Sequence, residues 1–172
     1  AGTISPDGPE VKEVLESVKE RTSQLLSISG KKSARSYHKE LGQIMWEYAG
    51  MARNATGLQK AIGEIQDLRD HFQKNLLVPG TGDRLNVELE RAGRVRDFID
   101  FGELLCRDAL ERNESCGGHF REEYQTKEGE AQRRKEFQFV SAWEYTGEPK
   151  DAKLHKENLT YKNIEVKERS YK

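Results

Sequence analysis

Cysteine is scarce in this chain, with two among 172 residues, Cys106 and Cys116. So low a count suits a reducing compartment and excludes a disulfide-built scaffold. If one helix carries both thiols, they lie roughly 15 Å apart at ~1.5 Å per residue. A disulfide requires Cα atoms within about 7 Å, so free thiols are expected. No apolar run reaches the roughly 18 residues of a membrane-spanning helix, so no direct insertion into a bilayer is expected. A basic start followed by an apolar core is also missing, which argues against a secretory signal. Net charge is close to zero, −1 from 29 basic and 30 acidic residues. No bulk field therefore favours nucleic acid or an anionic membrane. The basic clusters Lys31-Lys32 with Arg35, and Arg133-Arg134-Lys135, are short and lack interleaved aromatics. They read as solvated surface, and no nucleic-acid partner is expected.

Motifs for ligand chemistry are equally thin. Gly80-Thr81-Gly82 lies after a helical pattern, and Leu85 occupies the place of the third glycine of a dinucleotide loop. A nucleotide-binding turn follows a strand and needs that glycine for close packing, so an interhelical turn is expected and no cofactor site. Cys106, Cys116 and His119 form C-x9-C-x2-H, without the closely spaced pairs and fourth ligand of a zinc site. No metal site is expected, and no nucleophile constellation stands out.

Charge and helical periodicity are abundant. Charged residues and apolar residues each make up 34% of the chain, a balance that suits long helices with narrow buried stripes. Residues 1–8 form a polar leader, and Pro9 suits a first helical turn. Val11, Val14, Leu15, Val18, Leu25 and Leu26 then recur at helical spacing to about Ile28, where Gly30 stops the run. Ser33 opens a second pattern with Tyr37, Leu41, Ile44, Met45, Tyr48 and Ala52 on its stripe. Asn54 caps a third, with Leu58, Ala61, Ile62, Ile65, Leu68, Phe72 and Leu76 on one face. Residues 78–83 break the periodicity. A fourth pattern runs from about Arg84 to Glu114, with Leu85, Leu89, Ala92, Ile99, Cys106 and Leu110 on one stripe. Phe98, Phe101 and Leu105 lie off that stripe, which predicts a central helix with partners on two sides.

Residues 117–136 form a charged loop without a period. The aromatic and β-branched content of Phe137 to Thr146 predicts a strand. Gly147 to Glu157 reads as a turn region. Leu159-Thr160-Tyr161 and Ile164-Glu165-Val166 read as the return strand, with a bulge at Lys162-Asn163 where the alternation slips. The expected fold is mainly α: an antiparallel, spectrin-repeat-like bundle of three to four long helices over residues 9–116, with a C-terminal β-hairpin and tail over 137–172 packed on it as one domain.

The segment Glu114-Ser115-Cys116-Gly117-Gly118-His119-Phe120-Arg121-Glu122-Glu123 is the most distinctive in the chain. With Leu104 to Asn113, Gly42 to Asn54, Gly129 to Arg133 and Phe139 to Tyr145, it resembles the C-terminal domain of the flavoprotein subunit of fumarate reductase and succinate dehydrogenase. That family usually writes E-S-R-G-A-H-x-R-x-D. Cys116 replaces the arginine here, Gly118 the alanine and Glu123 the aspartate, matching a variant with E-S-C-G-x-H-F-R. The resemblance covers roughly residues 35–172. The start Ala-Gly-Thr, without an initiator methionine, is expected of a fragment and of a processed chain alike.

The resemblance implies a parent oxidoreductase that interconverts fumarate and succinate. FAD would be bound by the full-length subunit, with electrons passing to or from a membrane quinone through an iron–sulfur subunit. The implied partners are the chain's own N-terminal flavin domain, the iron–sulfur subunit and the membrane anchor. The implied location is cytoplasmic, peripheral on the inner face of the cell membrane. The fragment itself is expected to bind no flavin, to be inactive alone and to support the flavin domain. Direction follows from the flavin potential and the quinone, which these residues do not carry. Two other readings are L-aspartate oxidase, whose C-terminal domain is similar, and a free-standing helical interaction module. Trp143-Glu144-Tyr145 and its long return favour the dehydrogenase or reductase.

Two residue sets stand out as candidates. His119 and Arg121 follow Gly117-Gly118, a place where the backbone can turn sharply and aim both side chains together. They read as a latch at the domain junction, because the family's substrate-binding and proton-delivery motifs are not in this chain. Gly42, Trp46, Ala49 and Arg53 lie opposite the second helix's core stripe at ~100° per residue. A large aromatic between small residues, with an arginine beside it, reads as a docking face.

Overall fold

The computed structural model describes residues 5–165, which form two compact units: residues 5–40 with 68–98, and residues 41–67 with 99–165. The expected strand residue Val166, leader residues 1–4 and tail residues 167–172 lie outside the described residues. Among the described residues there are four α-helices and one antiparallel hairpin, so the mainly α reading holds. The elements are α1 (Pro9–Ser27), β1 (Lys32–Ser33), α2 (Ala34–Ala49), α3 (Ala55–Asn75), β2 (Leu76–Leu77), α4 (Val87–Glu111), β3 (Phe139–Glu144) and β4 (Lys153–Asn158).

In the first unit, Pro9 sits in the opening turn of α1, where its missing N–H costs no hydrogen bond. Leu25 is the buried residue of α1, whereas Val14, Leu15 and Val18 of the same apolar series are exposed. Ser33 opens α2 by accepting a hydrogen bond from the Ser36 N–H at 3.3 Å. Tyr37 is fully buried edge-on against Phe72, with ring centroids 5.1 Å apart. Ala34, Leu68, Leu76, Ala92 and Val95 complete this core.

The two-residue strands β1 and β2 pair in parallel, Lys32 with Leu76 and Ser33 with Leu77, a pairing the helical patterns did not signal. Gly30 sits at the entry to this pairing, its N–H donating to the Leu76 carbonyl at 3.0 Å. A Cβ built on Gly30 would lie 1.9 Å from the Asn75 carbonyl carbon, so only glycine fits there.

In the second unit, Asn54 caps α3 as expected, its Oδ1 accepting the Gly57 N–H at 2.8 Å. Leu41, Leu58, Ala61, Ile65, Ile99, Cys106 and Ala109 are buried. Gly102 lets α4 approach α2 closely, since a Cβ there would lie 3.2 Å from Leu41 Cδ1 and 3.5 Å from Met45 Sδ. Glu103 is buried but well partnered, accepting from Gln66 Nε2 at 3.0 Å and from Arg107 Nε at 2.8 Å.

Several boundaries differ from the expectation. α2 ends at Ala49, leaving Ala52 exposed outside it. α4 starts at Val87 and ends at Glu111, so Leu85 lies before the helix and is exposed. On the second apolar face of α4, Phe101 is exposed, Phe98 is partly exposed with its ring centroid 5.6 Å from that of His38, and Leu105 is half-buried. Cys116 also lies beyond α4; both thiols are free, but not through the expected separation along one helix.

The largest correction concerns the hairpin. β3 pairs from Phe139↔Asn158 to Glu144↔Lys153 in unbroken antiparallel register, so the return strand is Lys153–Asn158 and there is no bulge within it. Residues 159–165 are exposed and outside any strand. The return strand Lys-Leu-His-Lys-Glu-Asn is almost wholly exposed, so it carries no apolar alternation to detect. Pro149–Asp151 forms a short 3-10 turn that closes the connection earlier than its polar composition suggested. Trp143 holds the hairpin on α4 by donating its indole N–H to Asp108 Oδ1 at 2.8 Å.

Candidate functional site

Two helix ends meet the segment 114–123 within the second unit. At the C-terminus of α4 the last carbonyls have no helical partners and carry partial negative charge. Arg121 supplies donors there: its Nη1 donates to the Ala109 carbonyl at 2.8 Å and to the Leu110 carbonyl at 3.2 Å. It does so from inside the protein, at 2% exposure, the largest side chain among the fully buried ones described. At the N-terminus of α3 the free N–H groups attract an anion, and Glu123 accepts the Ala55 N–H. Arg121 Nε donates to the same carboxylate at 3.2 Å. Burial alone would push the Glu123 carboxyl up, but the hydrogen bonds from Arg121 and Ala55 outweigh it and hold it below the ordinary range. One short segment thus places a cation on one helix end and an anion on the next.

The backbone around this pair is fixed by Ser115, Gly117 and Arg53. Ser115 is fully buried; its Oγ accepts the Arg121 N–H at 2.8 Å and donates to the Arg121 carbonyl at 3.2 Å. Cys116 and His119 exchange backbone hydrogen bonds of 2.8 and 3.0 Å around the turn at Gly117-Gly118. Gly117 has φ +59°, a left-handed conformation that favours glycine. Arg53, past the end of α2, pairs with this segment in parallel: its N–H donates to the Phe120 carbonyl at 3.0 Å, and the Glu122 N–H donates back at 2.8 Å.

His119 sits between side chains rather than facing solvent. Its Nε2 lies 2.9 Å from the Arg112 carbonyl and its Nδ1 lies 3.1 Å from Arg53 Nη1. A guanidinium only donates, so Nδ1 must accept and the proton belongs on Nε2. Burial pushes the imidazole below its ordinary value. The charges of Arg53, Arg121 and Arg112 push the same way, against the hydrogen bond to the Arg112 carbonyl.

The structure brings His119, Arg121 and Arg53 together and leaves the proposed face divided. Gly42 and Trp46 are exposed, the indole to 82%. Ala49 is buried, and Arg53 lies beyond the helix, with its Nε donating to the Gly50 carbonyl at 3.1 Å. The four-residue face read from the helical wheel therefore reduces to Gly42 and Trp46, because α2 ends before its wheel can carry Arg53.

The sequence reading passed over Arg112 and Glu114. Arg112 donates to the Phe137 and Phe139 carbonyls at 3.1 Å each and to Glu114 at 2.8 Å, joining the hairpin to the end of α4. Glu114 is fully buried and also accepts the Arg134 N–H at 2.9 Å. No local signal marked Arg112, which follows the last residue of α4 and donates to carbonyls 25 and 27 residues away.

These side chains are largely occupied with one another. Burial pushes the Cys106 thiol up to about 11, with Arg53 opposing and Glu103 adding, so it is not a thiolate at neutral pH. Among the described residues, no group of three or more histidine, cysteine or acidic side chains could hold a metal ion. The Gly80 turn does not fit a dinucleotide. Asn86 Oδ1 caps α4 by accepting the Glu88 and Leu89 N–H groups at 3.1 Å each, and its Nδ2 donates to the Pro79 and Thr81 carbonyls. Two amides in the first turn of α4 are thus already used.

A family model described as fumarate reductase flavoprotein C-term matches residues 38–171. The chain belongs to the fumarate reductase flavoprotein C-terminal family. Among curated relatives of this C-terminal domain, L-aspartate oxidase of Synechocystis is 28% identical over 97 residues, covering 49% of this chain and 18% of that protein. The fumarate reductase flavoprotein subunit of Haemophilus influenzae is 27% identical over 104 residues, covering 60% of this chain and 17% of that one. The chain thus spans about a fifth of the length of the curated relatives it matches. Among solved structures, E. coli quinol fumarate reductase superposes with a TM-score of 0.78 at 20% identity, over 97% of this chain and 27% of that one. At that identity the likeness speaks for a shared fold.

Proposed function

We propose that this C-terminal domain belongs to a flavoprotein subunit that interconverts fumarate and succinate. Electrons then pass to or from quinone through an iron–sulfur subunit. The observation that carries this reading is the family match over residues 38–171. FAD would be held by the rest of the full-length subunit, a reading supported by the flavoprotein family to which the chain belongs. The role of the domain is structural: His119 and Arg121 latch the region that meets the flavin domain. The subunit sits peripherally on the inner face of the cell membrane, joined to it through the iron–sulfur subunit and a membrane anchor. No helix among the described residues is long and apolar enough to cross a membrane.

The test compares the 172-residue chain with the full-length subunit that contains it. The chain alone is expected to be colourless, and the full-length subunit to carry flavin and to reduce a dye with succinate. A flavin absorption band with stoichiometric cofactor in the chain alone would refute the division of labour. Dye reduction with L-aspartate but not succinate would favour the second reading, L-aspartate oxidase, to which the relative from Synechocystis points. The family match leaves the free-standing interaction module without a supporting observation.

Exposed Trp46, beside Gly42, is the proposed contact with the flavin domain. Burying an indole contributes about 1.5–3 kcal/mol, and glycine beside it permits close approach of a partner backbone. Trp46→Glu should therefore lower the melting temperature of the full-length subunit while leaving the isolated chain unchanged. Equal effects in both proteins would remove Trp46 from the interface.

A further inference from the structure

We infer that His119 is an acid-released clasp between the α2–α3 turn and the segment that follows α4. The neutral imidazole bridges two elements, accepting from Arg53 Nη1 at 3.1 Å through Nδ1 and donating from Nε2 to the Arg112 carbonyl at 2.9 Å. Only the neutral ring with its proton on Nε2 makes both bonds. A second proton turns Nδ1 into a donor that faces another donor, and sets an imidazolium against a guanidinium.

The charged groups facing the ring do not offset that second charge. From the α2–α3 turn comes Arg53. From the end of α4 comes Arg112, whose guanidinium is paired with Glu114. From the histidine's own segment comes Arg121, paired with Glu123. The remaining carboxylate of the segment, Glu122, accepts from Asn54 Nδ2 at 2.7 Å. The carboxylates are thus engaged elsewhere, and the field at the ring is that of three arginines, which together with burial lowers its proton affinity.

The sign follows from linkage. An unfolded histidine takes up its proton near the ordinary pH of about 6.5. The folded ring resists until a lower pH. Stability from this group is fully present above about 6.5 and is lost as pH falls from there through the folded value. What opens first is local: the Arg53 N–H bond to Phe120 and the Glu122 N–H bond to Arg53, which the clasp holds in register.

The test follows the His119 imidazole by nitrogen NMR in the 172-residue chain while measuring amide exchange at Arg53 and Glu122 between about pH 7.5 and 5. The ring should remain the neutral Nε2–H form below the ordinary histidine range. On protonation, exchange at Arg53 and Glu122, corrected for intrinsic rates, should accelerate by about tenfold or more, while Ile65 and Ile99 stay protected. His119→Gln, which cannot protonate, should abolish the step. If that variant does not fold, Arg53→Gln should raise the proton affinity of the ring and shrink the step. Titration at or above the ordinary histidine value would overturn the inference. So would unchanged exchange on protonation, a step persisting in His119→Gln, or a ring whose titration ignores Arg53→Gln.

Discussion

Arg121→Ala is expected to destabilise the chain by about 3–5 kcal/mol, the range for breaking one side of a buried charged network. The guanidinium is 2% exposed and serves two carbonyls at the end of α4 as well as Glu123. Removing it leaves the carbonyls of Ala109 and Leu110 without their side-chain donor. It also takes from Glu123 the neighbour that helps to hold its carboxyl ionised. The Glu123 contribution is the smaller part, because that carboxylate is 37% exposed and water screens it. Arg121→Lys should recover little, because an ammonium lacks the fork that reaches carbonyls and carboxylate together. Urea unfolding monitored by circular dichroism measures the difference. A loss of unfolding free energy of less than about 1 kcal/mol would mean that the carbonyls find water and that the arginine holds little.

Gly30→Ala should have the next largest effect. The added methyl would lie 1.9 Å from the Asn75 carbonyl carbon and 2.0 Å from its oxygen. Backbone cannot yield as a flexible side chain can, so β1 must move away from β2. That movement loses the hydrogen bonds from the Gly30 and Lys31 N–H groups to the Leu76 and Asn75 carbonyls, at 3.0 and 3.1 Å. Two such bonds at about 1 kcal/mol each, with overpacking of about 1–3 kcal/mol, give a loss of about 3–5 kcal/mol. Amide exchange at residues 30–33 and 76–77 localises it. An unchanged unfolding midpoint with those amides still protected would show that the close approach is not needed.

Gly30 also illustrates what could be read from the sequence. Its position after an apolar helical run marks a helix end, which the structure bears out with α1 closing at Ser27. That it also admits a parallel pairing with residues 76–77 depends on a partner distant in sequence, which local patterns do not encode. The same division holds elsewhere. Asn54 and Ser33 were legible as caps because capping is a contact within one turn. β4 was illegible because an exposed edge strand keeps no apolar alternation.

At the candidate site, glycine spacing and the charged segment pointed to His119 and Arg121, and the structure brings both beside Arg53. The bonds from Arg112 to the Phe137 and Phe139 carbonyls were not legible, because they join residues 25 and 27 apart in the chain. Ala49 and Arg53 were assigned to one exposed face by extending a helical wheel past Ala49, where Gly50 and the following turn end it.

We propose that the segment 114–123 joins helix ends while the rest of the subunit performs the chemistry. The most direct test of this claim is Arg121→Ala in the full-length flavoprotein, with melting temperature and succinate-dependent dye reduction measured on the same preparation. Below the melting transition the rate should stay within a few-fold of the unsubstituted enzyme while the melting temperature falls. Unchanged stability with a rate lower by orders of magnitude would contradict the claim and place Arg121 among the groups that act on substrate.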